Sequence, residues 1–151
     1  TSALSEAGRV LKTGGLFLFT TFGPNTLQEL RAAFAKSSNN QHVNGFLDMH
    51  DIGDLLTRSG FENPVMETDI LTVEYQNVRG LLRDLKCTGS TNALKHRQKG
   101  LLGTRTYDRV LALDGARGST GTKVKTTFEV VYGHAWAAPS RTTGEYPLLR
   151  R

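Results

Sequence analysis

The stretch Gly8–Gly23, GRVLKTGGLFLFTTFG, constrains the fold more than any other: a helix end, a two-glycine turn and an apolar strand follow one another. Lys12 belongs to a last helical turn, where a cation suits the negative end of the macrodipole, and Gly14–Gly15 supply the left-handed residue that ends a helix. Leu16–Phe19 are uniformly apolar, which predicts a strand buried on both faces of a helix-covered parallel sheet. Thr20, Thr21 and Phe22 then mark its carboxyl end, where α/β proteins bind their ligands. The expected fold class is α/β. Such a strand needs neighbours and nothing upstream supplies them, so the chain reads as the second part of a larger α/β protein.

Downstream, Asn25 and Gln28 form an N-x-x-Q helix start, and Leu27, Leu30 and Phe34 give Thr26–Ala35 one apolar face. Lys36–His42 is a polar loop. Asp48 caps a second helix with Met49, Ile52, Leu55 and Leu56 inward and Gly60 at its end. Phe61–Tyr75, rich in β-branched residues, predicts a strand nearer a sheet edge. Asn77 opens a third helix, with Val78, Leu81, Leu82 and Leu85 on its core face and Gly89 as its stop. Arg79, Arg83 and Lys86 share the opposite face, and Lys95, His96, Arg97 and Lys99 extend the same sign. A fourth helix is expected over Arg105–Leu113, with Tyr107, Val110 and Leu111 inward, then a flexible loop Asp114–Thr122. Val124–Tyr132 alternates as a half-exposed strand, with Lys125, Thr127 and Glu129 outward. Residues after Trp136 show no period and are expected to be largely disordered.

Composition narrows the class. No apolar run approaches the ~20 residues that span a bilayer, and the first residues lack a basic region followed by an apolar segment, so no membrane or export role is expected. Cys87 is the single cysteine, which excludes an internal disulfide and CxxC chemistry and fits a reducing cytoplasm. The net charge of +5 and pI near 9.6 favour an anionic partner without choosing among nucleic acid, membrane and acidic protein.

Few residues suggest bond chemistry. Gly115, Gly118 and Gly121 resemble a phosphate loop, but they join helix to strand where such loops run strand to helix, so a linker is favoured. His42, His50, His96 and His134 are scattered without metal-ligand spacing, and no metal is expected. His50–Asp51 point about 100° apart on a helix, so a helix-start pair is favoured over an acid/base pair. There is no G-x-S-x-G elbow, and Cys87 lies at a helix end rather than its N-terminus, leaving no candidate nucleophile. The Arg79–Arg83–Lys86 stripe is either a solvated helix face or the dock of an anionic partner. An RNA reader would show aromatics among its basic residues, and none lies between Arg79 and Lys99; no nucleic-acid partner is expected.

EAGRVLKTGGLFLFTTFG resembles the LKPGG turn and following strand of class I S-adenosylmethionine-dependent methyltransferases, with Thr13 in place of proline. FTTFGPNTLQELRAAF, HVNGFLDMHDIGDLLTRSGFENPVMETD, NVRGLLRDLKCTGSTNAL and TFEVVYGHAW resemble, more specifically, the malonyl-acyl-carrier-protein O-methyltransferases of biotin synthesis. The likeness covers most of residues 6–137 and departs from the family at Asp114–Thr122 and after Ala138. It implies the C-terminal part of a Rossmann-like sheet: Leu16–Thr21, Phe61–Tyr75 and Val124–Tyr132 as its last three strands, the third antiparallel to the others. Thr26–Ala35 and Asn77–Gly89 would belong to a cap over the active site. The domain would span residues 1–137, with 138–151 as a disordered tail.

By the same resemblance, the reaction is transfer of a methyl group from S-adenosylmethionine to the free carboxylate of malonyl thioester on acyl carrier protein, with the cofactor loops upstream of Thr1. A carboxylate is already ionised near neutral pH, so alignment and exclusion of water suffice; no catalytic residue is expected in this stretch. Substrate-binding candidates near the cap are Phe22, Arg83, Lys86, Asn92 and His134. Arg79, Arg83, Lys86, Lys95, Arg97 and Lys99 are candidates for docking the acidic carrier. The alternative is a non-catalytic module that docks an acidic protein through its basic helix. Taken alone, these residues are expected to lack cofactor binding and activity, and to self-associate through the unpaired edge of Leu16–Phe19 or through an exposed apolar face.

Overall fold

A computed structural model describes residues 2–35, 42–90, 104, 108, 110 and 123–139. Its elements are α1 (Ser2–Val10), β1 (Leu16–Phe22), α2 (Gln28–Ala35), α3 (Met49–Arg58), β2 (Phe61–Tyr75), α4 (Val78–Cys87) and β3 (Val124–Ala137). The strands form one sheet in the order β1-β3-β2. Gly14 and Gly15 exchange backbone hydrogen bonds with Ala137, while the Gly23 N–H donates to the Glu129 carbonyl. The start of β1 therefore faces the end of β3, and the two are antiparallel. The Ala138 N–H donates to the Gly60 carbonyl and Lys123 pairs with Glu74 at 3.1 Å, so β2 also runs opposite to β3. The fold class, with the last strand reversed, is as the sequence predicts.

Two compact units divide the chain: Thr1–Thr20, Met49–Glu67 and Tyr132–Arg151 form the first, Thr21–Asp48 and Thr68–Val131 the second. In the first, Gly14 adopts φ +72°, the left-handed conformation that closes a helix, and the Gly15 N–H donates to the Lys12 carbonyl at 2.8 Å. Phe17 packs against Phe61 with ring centroids 5.2 Å apart, and Ile52, Leu56, Phe61, Ala135 and Ala137 are buried. The core of the second unit is Leu27, Leu30, Val43, Val78, Leu81, Val110 and Val124, with Phe34, Tyr75, Leu82, Leu85 and Phe128 packed on it. Asn77 caps α4 as expected, its side-chain oxygen accepting from the Gly80 N–H at 2.9 Å. Burying Val78 and Leu81 holds that helix by about 1.5–3 kcal/mol per side chain.

Three expectations need correction. Leu16 and Leu18 are 52% and 71% exposed while Phe17 and Phe19 are partly covered, so β1 alternates; it is an edge strand with one covered face. Helix α2 starts at Gln28 rather than Thr26, because Leu27 takes a left-handed φ of 57° and its N–H donates to the Thr127 carbonyl at 2.7 Å. The N-x-x-Q pair is spent elsewhere: the Asn25 N–H donates to the Glu129 carboxylate and the Gln28 amide to the Thr127 hydroxyl. Finally, β3 runs on to Ala137 as the central strand; Val124 and Thr126 are buried and Lys125 exposed as expected, but from Thr127 the alternation shifts, with Thr127 and Glu129 buried and Tyr132 exposed. All of the polar loop but His42, most of the fourth helix, the Asp114–Thr122 loop and nearly all of the tail lie outside the described residues.

Candidate substrate and partner site

The turn that follows β1 is built around Glu129. This carboxylate is 8% exposed, and its Oε2 accepts from the Asn25 N–H at 2.7 Å. Its own backbone is doubly tied to Thr26: the Thr26 hydroxyl donates to the Glu129 carbonyl at 3.0 Å and stands 3.1 Å from the Glu129 N–H, which it can accept. Gly23 is required here by space, since a Cβ on it would collide with Glu129 Cδ. Beyond the turn, the Glu29 carboxylate accepts from the Thr127 hydroxyl at 2.5 Å and from its N–H at 3.1 Å. Burial pushes the Glu29 carboxyl up, but hydrogen bonds from the Thr127 hydroxyl and N–H, with those of the Glu29 N–H and the Gln28 side chain, together outweigh it and leave its pKa below the usual value. Arg31 donates to the carbonyls of Pro24 and Thr26, which ties α2 back to the turn.

Phe22 ends β1 at 37% exposure. Its ring meets Phe46 at 5.8 Å and Phe128 at 6.0 Å, an aromatic cluster at the carboxyl end of the strand. On α4, Arg79, Arg83 and Lys86 are exposed while Val78 and Leu81 are buried, so the basic face stands opposite the core face as the spacing predicts. Phe22, Arg83 and Lys86 all belong to the second unit. His134 belongs to the first, where its ring stands edge-on to Trp136 at 5.1 Å. Asn92, Lys95, Arg97 and Lys99 lie outside the described residues.

Sequence reasoning missed Glu129, Thr26, Glu29, Phe46 and Phe128. The signal for Glu129 was present: a lone carboxylate in a run of Thr, Phe, Val and Tyr on a strand that proves central. Alternation assigned it to water. Among the described residues no group of three or more His, Cys, Asp or Glu could hold a metal ion, and no helix is long and apolar enough to cross a membrane.

No family model matches the chain. It is 48% identical over 147 residues to the malonyl-[acyl-carrier protein] O-methyltransferase of Nitrosospira multiformis, covering 97% of this chain and 47% of that protein. It is 48% identical over 136 residues to the enzyme of that name from Gallionella capsiferriformans (90% and 47%). It is 46% identical over 140 residues to malonyl-[acyl-carrier protein] O-methyltransferase 1 of Coxiella burnetii (92% and 49%). Among solved structures, a Bacillus halodurans protein described as a methyltransferase superposes with a TM-score of 0.50 at 15% identity, covering 91% of this chain and 62% of that one. That likeness bears on the fold alone, and agrees with a partial Rossmann-like sheet. By sequence the chain is similar to the malonyl-[acyl-carrier protein] O-methyltransferases, and it spans about half the length of the curated relatives it matches.

Proposed function

We propose that the full-length protein carrying this chain methylates the free carboxylate of malonyl thioester on acyl carrier protein, a step of biotin synthesis in the cytoplasm. The observation that carries this reading is the 48% identity over 97% of the chain to a relative of that name. S-adenosylmethionine, when bound, supplies a methyl group on a positively charged sulfur. The turn after β1 does not fit that cofactor: the Gly23 and Asn25 amides are committed to Glu129, and the Glu129 side chain fills the space against Gly23. The residues that hold the cofactor are proposed to lie in the part of the relatives' length that this chain does not span.

What the described residues contribute is recognition. A malonyl carboxylate arrives ionised, so it needs a cation and a dry, oriented setting rather than a base. Phe22 with Phe46 and Phe128 offers apolar surface for the uncharged part of the substrate. Arg83 and Lys86, with Asn92, are proposed to serve the carboxyl end, and His134, in the first unit, is proposed on its own as a substrate-binding residue. Arg79, Arg83, Lys86, Lys95, Arg97 and Lys99 are proposed to dock the acidic carrier. A second reading, a docking module without catalysis, is favoured only by the exposed basic face of α4.

Incubating the full-length gene product with S-adenosylmethionine and either malonyl- or acetyl-acyl carrier protein separates the two. Methyl incorporation into the malonyl carrier but not the acetyl carrier is expected. Failure to methylate the malonyl carrier would leave only the docking reading.

A further inference from the structure

Glu129 has a place in the fold that burial alone does not explain. A carboxylate at 8% exposure is costly to bury unless hydrogen bonds satisfy it, and a valine would fit a central strand without that cost. Opposite it, Gly23 leaves out a side chain, so the carboxylate can cross the end of β1 and accept the Asn25 N–H at 2.7 Å. Thr26, 1% exposed, locks the same turn from the other side through its two contacts with the Glu129 backbone. Leu27 completes the turn at φ 57°, a conformation that is unfavourable for a side chain with a Cβ and persists only where its surroundings impose it. The imposing groups are the Thr127 carbonyl, which accepts the Leu27 N–H, and the core around the buried Leu27 side chain.

The turn has two dependants. Phe22 immediately precedes it, with its ring between those of Phe46 and Phe128, and α2 immediately follows it. From this geometry we propose that Glu129 is a positioning residue: by holding the Gly23–Leu27 turn it fixes the Phe22 ring as a wall of the acyl-substrate site. The inference rests on the malonyl-thioester reading above. It requires Glu129 to touch no substrate and to move no proton.

The test uses the full-length gene product with a malonyl thioester and S-adenosylmethionine, and the variants Glu129→Ala, Glu129→Gln and Gly23→Ala. Glu129→Ala should raise KM for the malonyl thioester roughly tenfold or more, as misplacement of a positioning surface does, with KM for S-adenosylmethionine unchanged. Gly23→Ala, whose Cβ displaces the carboxylate, should do the same. Glu129→Gln should restore most of the loss, because its amide oxygen can accept the Asn25 N–H. Equal KM in Glu129→Ala and the parent, a joint rise of both KM values, or a glutamine variant no better than alanine would overturn the proposal. If the parent methylates no malonyl thioester, the functional reading fails and hydrogen exchange decides this one. Glu129→Ala should then speed exchange at the Asn25 amide while leaving α3 amides unchanged, and an unaltered Asn25 amide would overturn it.

Discussion

Thr126 places a hydroxyl at 1% exposure with no hydrogen-bond partner among the described residues, on the strand positions flanked by core residues Val124 and Phe128. An orphaned buried donor costs about 1–3 kcal/mol, and removing it with little change of shape recovers part of that. Thr126→Val should raise the urea midpoint of unfolding; a lower midpoint would mean that the hydroxyl has a bonded water. His42 behaves differently. Its ring stacks on Phe34 at 4.3 Å, its Nε2 is buried without a partner among the described residues, and burial holds its pKa below the usual value. The neutral ring is the folded form, so stability is full above the unfolded pKa of ~6.5 and falls as pH drops from there toward the lower folded value. Unfolding midpoints measured across that range should show the decline in the parent and a flatter curve in His42→Phe.

At the scale of elements, α4 carries the clearest functional expectation. Charges at an interface rim govern association rate and salt dependence more than intrinsic affinity. Reversing Arg79 and Lys86 to glutamate in the full-length protein should therefore weaken methyl transfer to malonyl-acyl carrier protein at low salt while sparing a small malonyl thioester. Arg83→Ala should harm both substrates if Arg83 meets the malonyl carboxylate, by about 2–5 kcal/mol for a desolvated partner. Equal rates for the charge-reversed and parent proteins on the carrier would return the stripe to a solvated face. This helix was legible from the sequence because cap, period and charge agree: Asn77, the apolar Val78 and Leu81, and the basic Arg79 and Arg83 each imply the same orientation. The turn after β1 was not legible. Its conformation is decided by Glu129, far along the chain, so the local N-x-x-Q signal at Asn25 lost to a long-range carboxylate. For the same reason the alternation in β3 misled beyond Thr126: Glu129 went inward, where its carboxylate accepts the Asn25 N–H.

For the molecule as a whole, β1 is the exposed element, as an apolar run LFLF with an unpaired edge suggests. Leu16 and Leu18 stand bare on a strand that is paired on one edge only, a combination that favours association. The purified 151-residue chain should therefore run above monomer mass in size-exclusion chromatography with light scattering, and Leu18→Lys should shift it toward monomer; a clean parental monomer at high concentration would contradict this. The central claim is that these residues contribute recognition and positioning, with no acid or base. It is tested most directly by the pH dependence of kcat/KM for malonyl thioester in the full-length gene product. The logarithm of kcat/KM should stay level between about pH 6 and about 8.5, because the carboxylate is ionised throughout; a limb of unit slope with a pKa near ~7 would reveal a group that must lose its proton and would contradict the account.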